Sequence, residues 1–482
     1  MPRSRWILIG SILGSGAVFV EGTVTTVALP VIAHDLHLGI AGLQWVMNGY
    51  LLTLSALILL GGALGDRFSR RRVFAIGLVG FAVASLGCAI APNLLLLVIA
   101  RVLQGISGAL VVPNSLALLE TAFTGEARGA AIGRWAAWSA VSTALGPLVG
   151  GWLVGAASWR FVFVCVAPVA IAAVVAVNTG ASACDDPPEE SARVDYLGAA
   201  LATLGLAGLV GTLIAGPGAG FTRPEVLVAG AISVALLAAF IVVERRVRYP
   251  LLPLDVFRSR QFSGVNATTL VVYAAINGVF LFLMLQLQNV LGYSPIAAGA
   301  SLLPINGLML LFSPLAGRIA ARRGPRLPMV TGCVVTGIGS LLFVRVRPGA
   351  DYPTTVLPAT IVFGLGLACF VAPLTSVALG ALDESLAGLA SGVNNAVARL
   401  AGLLATAVIP LAIGLGGVRE LRPDQLAIGF TRATVICAAL CVVGSAVAAI
   451  TIGDAIEPGA AEHVNVRRTV RVLQHFSTTC RR

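Results

Sequence analysis

Three ionisable side chains fall inside long apolar stretches of this 482-residue chain: Glu21, Arg101 and Arg399. A charge at membrane depth costs about 3 kcal/mol on insertion scales, so such a residue usually has a task. A carboxyl and a guanidinium in one apolar setting suit reversible proton binding. The proton affinity of the carboxyl then depends on burial and on the distance to the cation. The same two groups would equally serve as a fixed structural ion pair. No other cluster offers covalent or metal chemistry. All four histidines (His34, His37, His463, His475) lie outside the apolar stretches, and HExxH, GxSxG, Walker and CxxC patterns are absent. Cys437 and Cys441 share one helix face, which fits small-residue packing better than a metal. An enzyme is therefore the least favoured class, and no cofactor beyond a proton gradient is expected.

The elements that must hold these residues follow from composition. Hydrophobic residues make up 57% and charged residues 11%, against roughly 25% charged in soluble domains. The apolar residues come in blocks of about 20, the length that crosses the hydrocarbon core as a helix. Unpaired backbone is not tolerated there, and the blocks lack the alternation of barrel strands, so they are helices. The expected spans are 6–32, 43–63, 74–91, 95–118, 130–154, 160–179, 196–215, 225–243, 263–289, 296–317, 328–345, 354–379, 388–416 and 427–453. The opening MPRSRW and its apolar run resemble a signal peptide, but the run is long and holds Glu21, so it reads as span 1. The expected organisation is a six-helix bundle over 1–180, a linker with two inserted spans over 181–262, a second six-helix bundle over 263–453 and a basic tail over 454–482.

All 32 basic residues are arginine, and the net charge is +11. They do not form one nucleic-acid face. With the N-terminus inside, 23 fall in segments on the inner side and 7 on the outer, which fixes the orientation and places both termini in the cytoplasm. The tail, with Arg467, Arg468 and Arg471, suits an anionic leaflet. Gly62–Arg71 after span 2 recurs as Gly317–Arg326 after span 10, on the same side of the membrane. Parallel halves around a central site are a transporter architecture.

The ordered motifs resemble the major facilitator superfamily, in particular its fourteen-span drug:proton antiporters. Gly62, Asp66, Arg67, Arg70 and Arg71 are similar to the loop signature between spans 2 and 3, with Ser69 where Gly is usual. Arg101, Gln104, Gly105, Gly108 and Ala109 resemble the span 4 signature. Gly146, Pro147, Gly150 and Gly151 resemble the antiporter signature of span 5, with Ser142 where a further Gly is usual. The run Glu21–Pro30 resembles the span 1 signature, with Glu for its usual Asp. Trp45, Tyr50, the Gln288–Pro295 run and the Gly388–Asn395 segment followed by Arg399 complete the likeness, which covers nearly the whole chain.

The resemblance implies an all-α major facilitator fold of two six-helix bundles plus an inserted pair, in a bacterial inner (plasma) membrane. It implies a monomer that exports hydrophobic or amphipathic small molecules in exchange for protons. Export of one endogenous natural product or lipid is the alternative. Spans 1 and 4 would line the central cavity, with Glu21 as proton carrier and Arg101 biasing its release. The 2–3 loop would latch the outward-facing state, with Glu120 as a partner. Arg399 could meet Glu21, an anionic substrate or helix-end carbonyls. Tyr273, Asn277 and Gln288 each fall within ~40° of Asn266 on one face of span 9, and Gln44, Asn48 and Ser55 form a shorter stripe on span 2. These stripes, with Tyr50, Trp138 and Asn394, are read as cavity lining, against helix–helix hydrogen bonding. Trp135 and Trp138 suit aromatic walls or interface anchors. The span 5 glycines and Pro147 suit either a tight bent gate or ordinary packing.

Overall fold

A computed structural model describes residues 3–180, 194–383, 386–418 and 422–454. The 185–190 acidic and proline stretch, Arg193, Arg419 and the basic tail beyond 454 lie outside the described residues. Every long element is a helix. Fourteen helices are long and apolar enough to cross a membrane: α1 Ser4–Asp35, α2 Ile40–Phe68, α3 Arg70–Ile90, α4 Leu94–Ala122, α5 Ala127–Ala156, α6 Arg160–Gly180, α7 Tyr196–Ala219, α8 Pro224–Arg246, α9 Arg260–Val290, α10 Pro295–Arg323, α11 Arg326–Arg345, α12 Tyr352–Gly380, α13 Gly388–Ala412 and α14 Pro423–Thr451. Each corresponds to one expected span, so the chain is a multi-pass membrane protein.

Most helices outrun their apolar blocks on the arginine-rich side. α2 continues through Asp66 and Arg67, and α10 through Arg322 and Arg323. Backbone hydrogen bonding does not stop at the hydrocarbon edge, and long arginine stems reach back to water. One expected span is too long. α13 ends at Ala412 rather than at 416, because Gly414 and Gly417 take positive φ (81° and 74°) and break the helix.

Large apolar side chains point outward, as Ile90, Leu310 and Leu311 do, while polar ones such as Glu21, Arg101, Gln104 and Thr269 are fully buried. This inversion is what lipid as solvent requires. In the first half α2 packs on α4, α3 on α4, and α1 on α5 and α6. In the second, α11 packs on α12, α10 on α12, and α9 on α13 and α14. The halves meet along α2–α13 and along α5–α10. Helix α7 rests on α2 and α13, and α8 packs chiefly on α7.

Candidate functional site: a buried ion pair in the first bundle

Glu21 and Thr25 lie one turn apart on α1, so their side chains share a face. Thr25 Oγ1 donates to Glu21 Oε1 at 2.8 Å. Arg101 on α4 reaches the same oxygen with Nη1 at 2.8 Å. That Nη1 also donates to Gln104 Oε1 (2.7 Å), and Nε donates to the Val46 carbonyl of α2 (3.0 Å). Gln104 Nε2 is held in turn by donating to Ser85 Oγ on α3 at 2.8 Å. The guanidinium lies 4.5 Å from the Tyr50 ring centre and 5.9 Å from that of Phe163. Five helices thus contribute to holding one cation against one carboxylate, and both residues are 0% exposed. Glu21 Oε2 has no hydrogen-bond partner. It is the oxygen free to take a proton without dismantling the network.

Tyr50 differs from its expected place in the cavity. It is fully buried, donates its hydroxyl to the Val18 carbonyl (3.1 Å) and forms the wall under Arg101. Its ring serves the ion pair rather than a substrate.

Arg399 occupies the other side of α1. Its guanidinium lies 5.3 Å from the Phe19 ring centre, and its Nη1 is 3.9 Å from where a Cβ on Gly22 would stand. Successive helix residues point about 100° apart, so Gly22 faces α13 while Glu21 faces α4. Arg399 is half-buried, and among the described residues no carboxylate pairs with it. Of the three expected partners, Glu21 is excluded in this conformation.

The polar stripes divide. Gln44 Nε2 donates to the Thr406 and Ala407 carbonyls of α13, at 2.9 and 3.2 Å, and Gln288 Nε2 donates to the Val27 carbonyl of α1 at 2.9 Å. Asn394 bridges Asn266 Oδ1 (3.2 Å) and Thr269 Oγ1 (2.9 Å) between α13 and α9. For Gln44, Gln288, Asn266 and Asn394 helix–helix bonding therefore replaces the expected cavity lining: a polar atom among apolar neighbours takes the nearest backbone or side-chain partner. Asn48 is fully buried with both side-chain atoms unsatisfied, while Tyr273 and Asn277 are half-buried. Trp138 is 55% exposed on α5, and Trp135 donates to Ser15 Oγ (2.8 Å).

The two ends of the molecule differ. On the side away from the arginine loops, a Cβ on Gly151 would lie 2.4 Å from the Pro295 carbonyl oxygen, and one on Gly299 would lie 2.1 Å from that of Pro147. Gly146 and Gly150 fit as closely against Thr23 and Val24 of α1. Near the middle, Asn306 Nδ2 donates to the Ala144 carbonyl at 2.9 Å. Beyond that bond, toward the arginine-rich side, α5 and α10 make few contacts, and a Cβ on Gly129, Gly133 or Gly307 would meet nothing within 4 Å. The halves are sealed at one end and parted at the other along this seam.

Asp66 and Arg70 pair at the arginine-rich end, 2.9 Å between Arg70 Nη2 and Asp66 Oδ1, and Arg70 Nη1 reaches the Ala117 carbonyl of α4 at 3.4 Å. Arg71 Nε donates to Asn178 Oδ1 of α6 at 3.3 Å. Arg67 lies over the Phe68 ring. Glu120 is not part of this group. It pairs with Arg128 at 3.4 Å, because the next loop places that arginine closer. The expected site residues missed Thr25, Ser85 and Phe163; Thr25 alone had a signal, its i+4 spacing from Glu21.

The profile of the Major Facilitator Superfamily matches residues 11–406. The tetracenomycin C resistance and export protein of Streptomyces glaucescens is 35% identical over 87% of this chain and 78% of its own length. The puromycin resistance protein of Streptomyces alboniger is 36% identical, over 85% and 81%. Among solved structures, a bacterial homolog of the human lysosomal transporter Spinster, in an inward-facing and unoccupied conformation, superimposes with a TM-score of 0.64 at 16% identity. That match covers 94% of this chain and 97% of the other. With the profile spanning most of the fourteen-helix fold, this chain belongs to the Major Facilitator Superfamily.

Proposed function

We propose that this protein is a proton-coupled exporter of hydrophobic or amphipathic small molecules, working by alternating access between the bundles 1–180 and 263–453. The observation that carries the coupling is the sealed Glu21–Arg101 pair with one unpartnered carboxylate oxygen. Separating the pair would leave an uncompensated buried charge at a cost of about 3–5 kcal/mol, so loss of the arginine contact and gain of a proton are tied together. Proton arrival at Glu21 Oε2 weakens the hold of Arg101. The helices that carry the two groups, α1 and α4, then shift against each other. Arg101 favours proton release when it returns.

Substrate would enter from the parted, arginine-rich end, between α5 and α10. Trp138, Tyr273, Asn277 and Arg399 offer aromatic faces, amide hydrogen bonds and a cation that has no carboxylate partner among the described residues. That set suits flat aromatic compounds that are neutral or anionic. Relatives named for antibiotic resistance and for export of tetracenomycin C support an outward direction. The second of these descriptions favours a narrower variant, export of one natural product made by the host. The proposed setting is a bacterial inner membrane with both termini cytoplasmic, and the proposed working unit is a monomer.

The test is efflux in everted vesicles and survival of a pump-deficient host on a panel of toxic compounds. Glu21→Gln, at wild-type membrane abundance, should lose proton-driven transport by at least about tenfold. Full proton-driven transport by this variant would remove the proposal. Activity confined to a single compound class would select the narrower variant.

A further inference from the structure

Helix α8 is almost entirely exposed, and its two buried residues are both polar: Ser233 and Glu244. Glu244 lies in its last turn, 3% exposed, next to Arg245, Arg246 and Arg248. All three arginines are exposed, and none pairs with it. Instead Glu244 faces Asp195, the residue that caps α7 and is 8% exposed.

Each carboxyl uses one oxygen on backbone. Asp195 Oδ1 accepts from the Gly198 N–H at 2.8 Å, and Glu244 Oε2 accepts from the Leu252 N–H at 3.1 Å. The other two oxygens, Asp195 Oδ2 and Glu244 Oε1, are buried and have no partner. They converge on one point, 2.6 and 2.8 Å from where a Cβ on Gly198 would stand. Glycine at 198 leaves that point empty of side chain.

Two carboxylates buried beside one another repel, and a proton on either relieves that repulsion. Among the described residues, which do not include Arg193, the charged groups on the helices packed against α7 are engaged elsewhere: Asp66 with Arg70, Arg67 over Phe68, Arg399 over Phe19. Tyr196 and Tyr249 are the neighbouring titratable groups in sequence, and neither bonds to the pair. A metal ion needs several more oxygens than two, and no group of three or more ligands gathers here among the described residues. A proton needs no more than these two oxygens.

We propose that Asp195 and Glu244 share one proton, a proton-binding site separate from Glu21 that clasps the inserted helix pair to the segment entering the second bundle. The clasp acts through Leu252. Its N–H is held by Glu244, and its side chain packs on Val256, Phe262, Ala390 and Val393, a cluster that also receives Leu59 of α2. When the proton leaves, the carboxylates repel, the ends of α7 and α8 separate and Leu252 is released. The site thus reports proton availability at the arginine-rich face to the junction of the two bundles, whether or not Glu21 carries a proton.

Hydrogen exchange of the Leu252 amide in the full-length protein in detergent tests this. After correction for intrinsic exchange, wild-type protection should fall about tenfold between about pH 6 and about pH 9. Glu244→Gln and Asp195→Asn each replace the shared proton with an amide N–H, and each should keep the low-pH protection throughout that range. Two variants guard against one failing to fold. Protection in the wild type that ignores pH, or variants that follow the wild-type profile, would overturn the proposal. Restoration of wild-type protection at high pH by sodium alone would replace the proton with a metal ion and overturn it as well.

Discussion

The two copies of the arginine loop solve one geometric problem with different residues. In both, the turn between two helices holds one residue with positive φ: Ser69 at 94°, alone between its helices, and Gly324 at 89°, followed by Pro325. Glycine takes this conformation freely, whereas a residue with a Cβ is strained by about 1–3 kcal/mol. The strained copy is also the one with the charge bridge. Asp66 and Arg70 pair across the turn, and Arg70 extends to the α4 carbonyl of Ala117. In the second copy Ala321 and Pro325 stand at the equivalent places, and no bridge can form between them. Both partners of the Asp66–Arg70 bridge are substantially exposed (51% and 31%). Such a pair is worth at most about 1 kcal/mol. A latch so weak cannot lock a conformation. At most it would bias one.

Exchanging the features of the two copies tests this contrast. The largest effect should come from Gly324→Ser, which adds a Cβ at positive φ and also meets the Asp454 carbonyl oxygen at 2.7 Å. Thermal unfolding in detergent should show a loss of about 2–3 kcal/mol, and an unchanged melting temperature would break the comparison. Ser69→Gly should act in reverse and gain about 1 kcal/mol, read by the same melt. Asp66→Asn should cost about 0.5 kcal/mol and shift the balance of conformations, measured by accessibility of a cysteine placed at Gly129. An unshifted balance would assign Asp66 to topology alone. Ala321→Asp should change stability least, within about 0.3 kcal/mol, because Pro325 offers no cation where Arg70 does. A larger gain there would mean that the second turn can be latched too.

The sequence made the long-range frame legible because lipid imposes coarse rules. Blocks of membrane length and arginine asymmetry located fourteen helices, and the rarity of charge at depth singled out Glu21 and Arg101, which meet at 2.8 Å. What it could not show is which neighbour faces each side of a helix. Gln44 and Tyr50 both read as cavity lining on α2, yet Tyr50 supports a cation and Gln44 ties α2 to α13. Glu120 lies near the latch arginines in sequence pattern and beside Arg128 in space. Asp195 and Glu244 gave no signal, since charges at the ends of apolar blocks look like ordinary solvated flanks. Only the packing of α7 on α8 turns them inward.

The glycine contacts between α5 and α10 have a mechanical consequence. Gly151 and Gly299 bring backbone against backbone, with no layer of side chains between the halves at that end. Rotamer changes therefore cannot loosen the joint; opening it would require one half to roll over the other, as a rocker on its base. A single methyl group there would act as a wedge that props the far side ajar. Cavity walls can be varied to suit new cargo while this rolling contact stays fixed, which separates what the protein carries from how it moves.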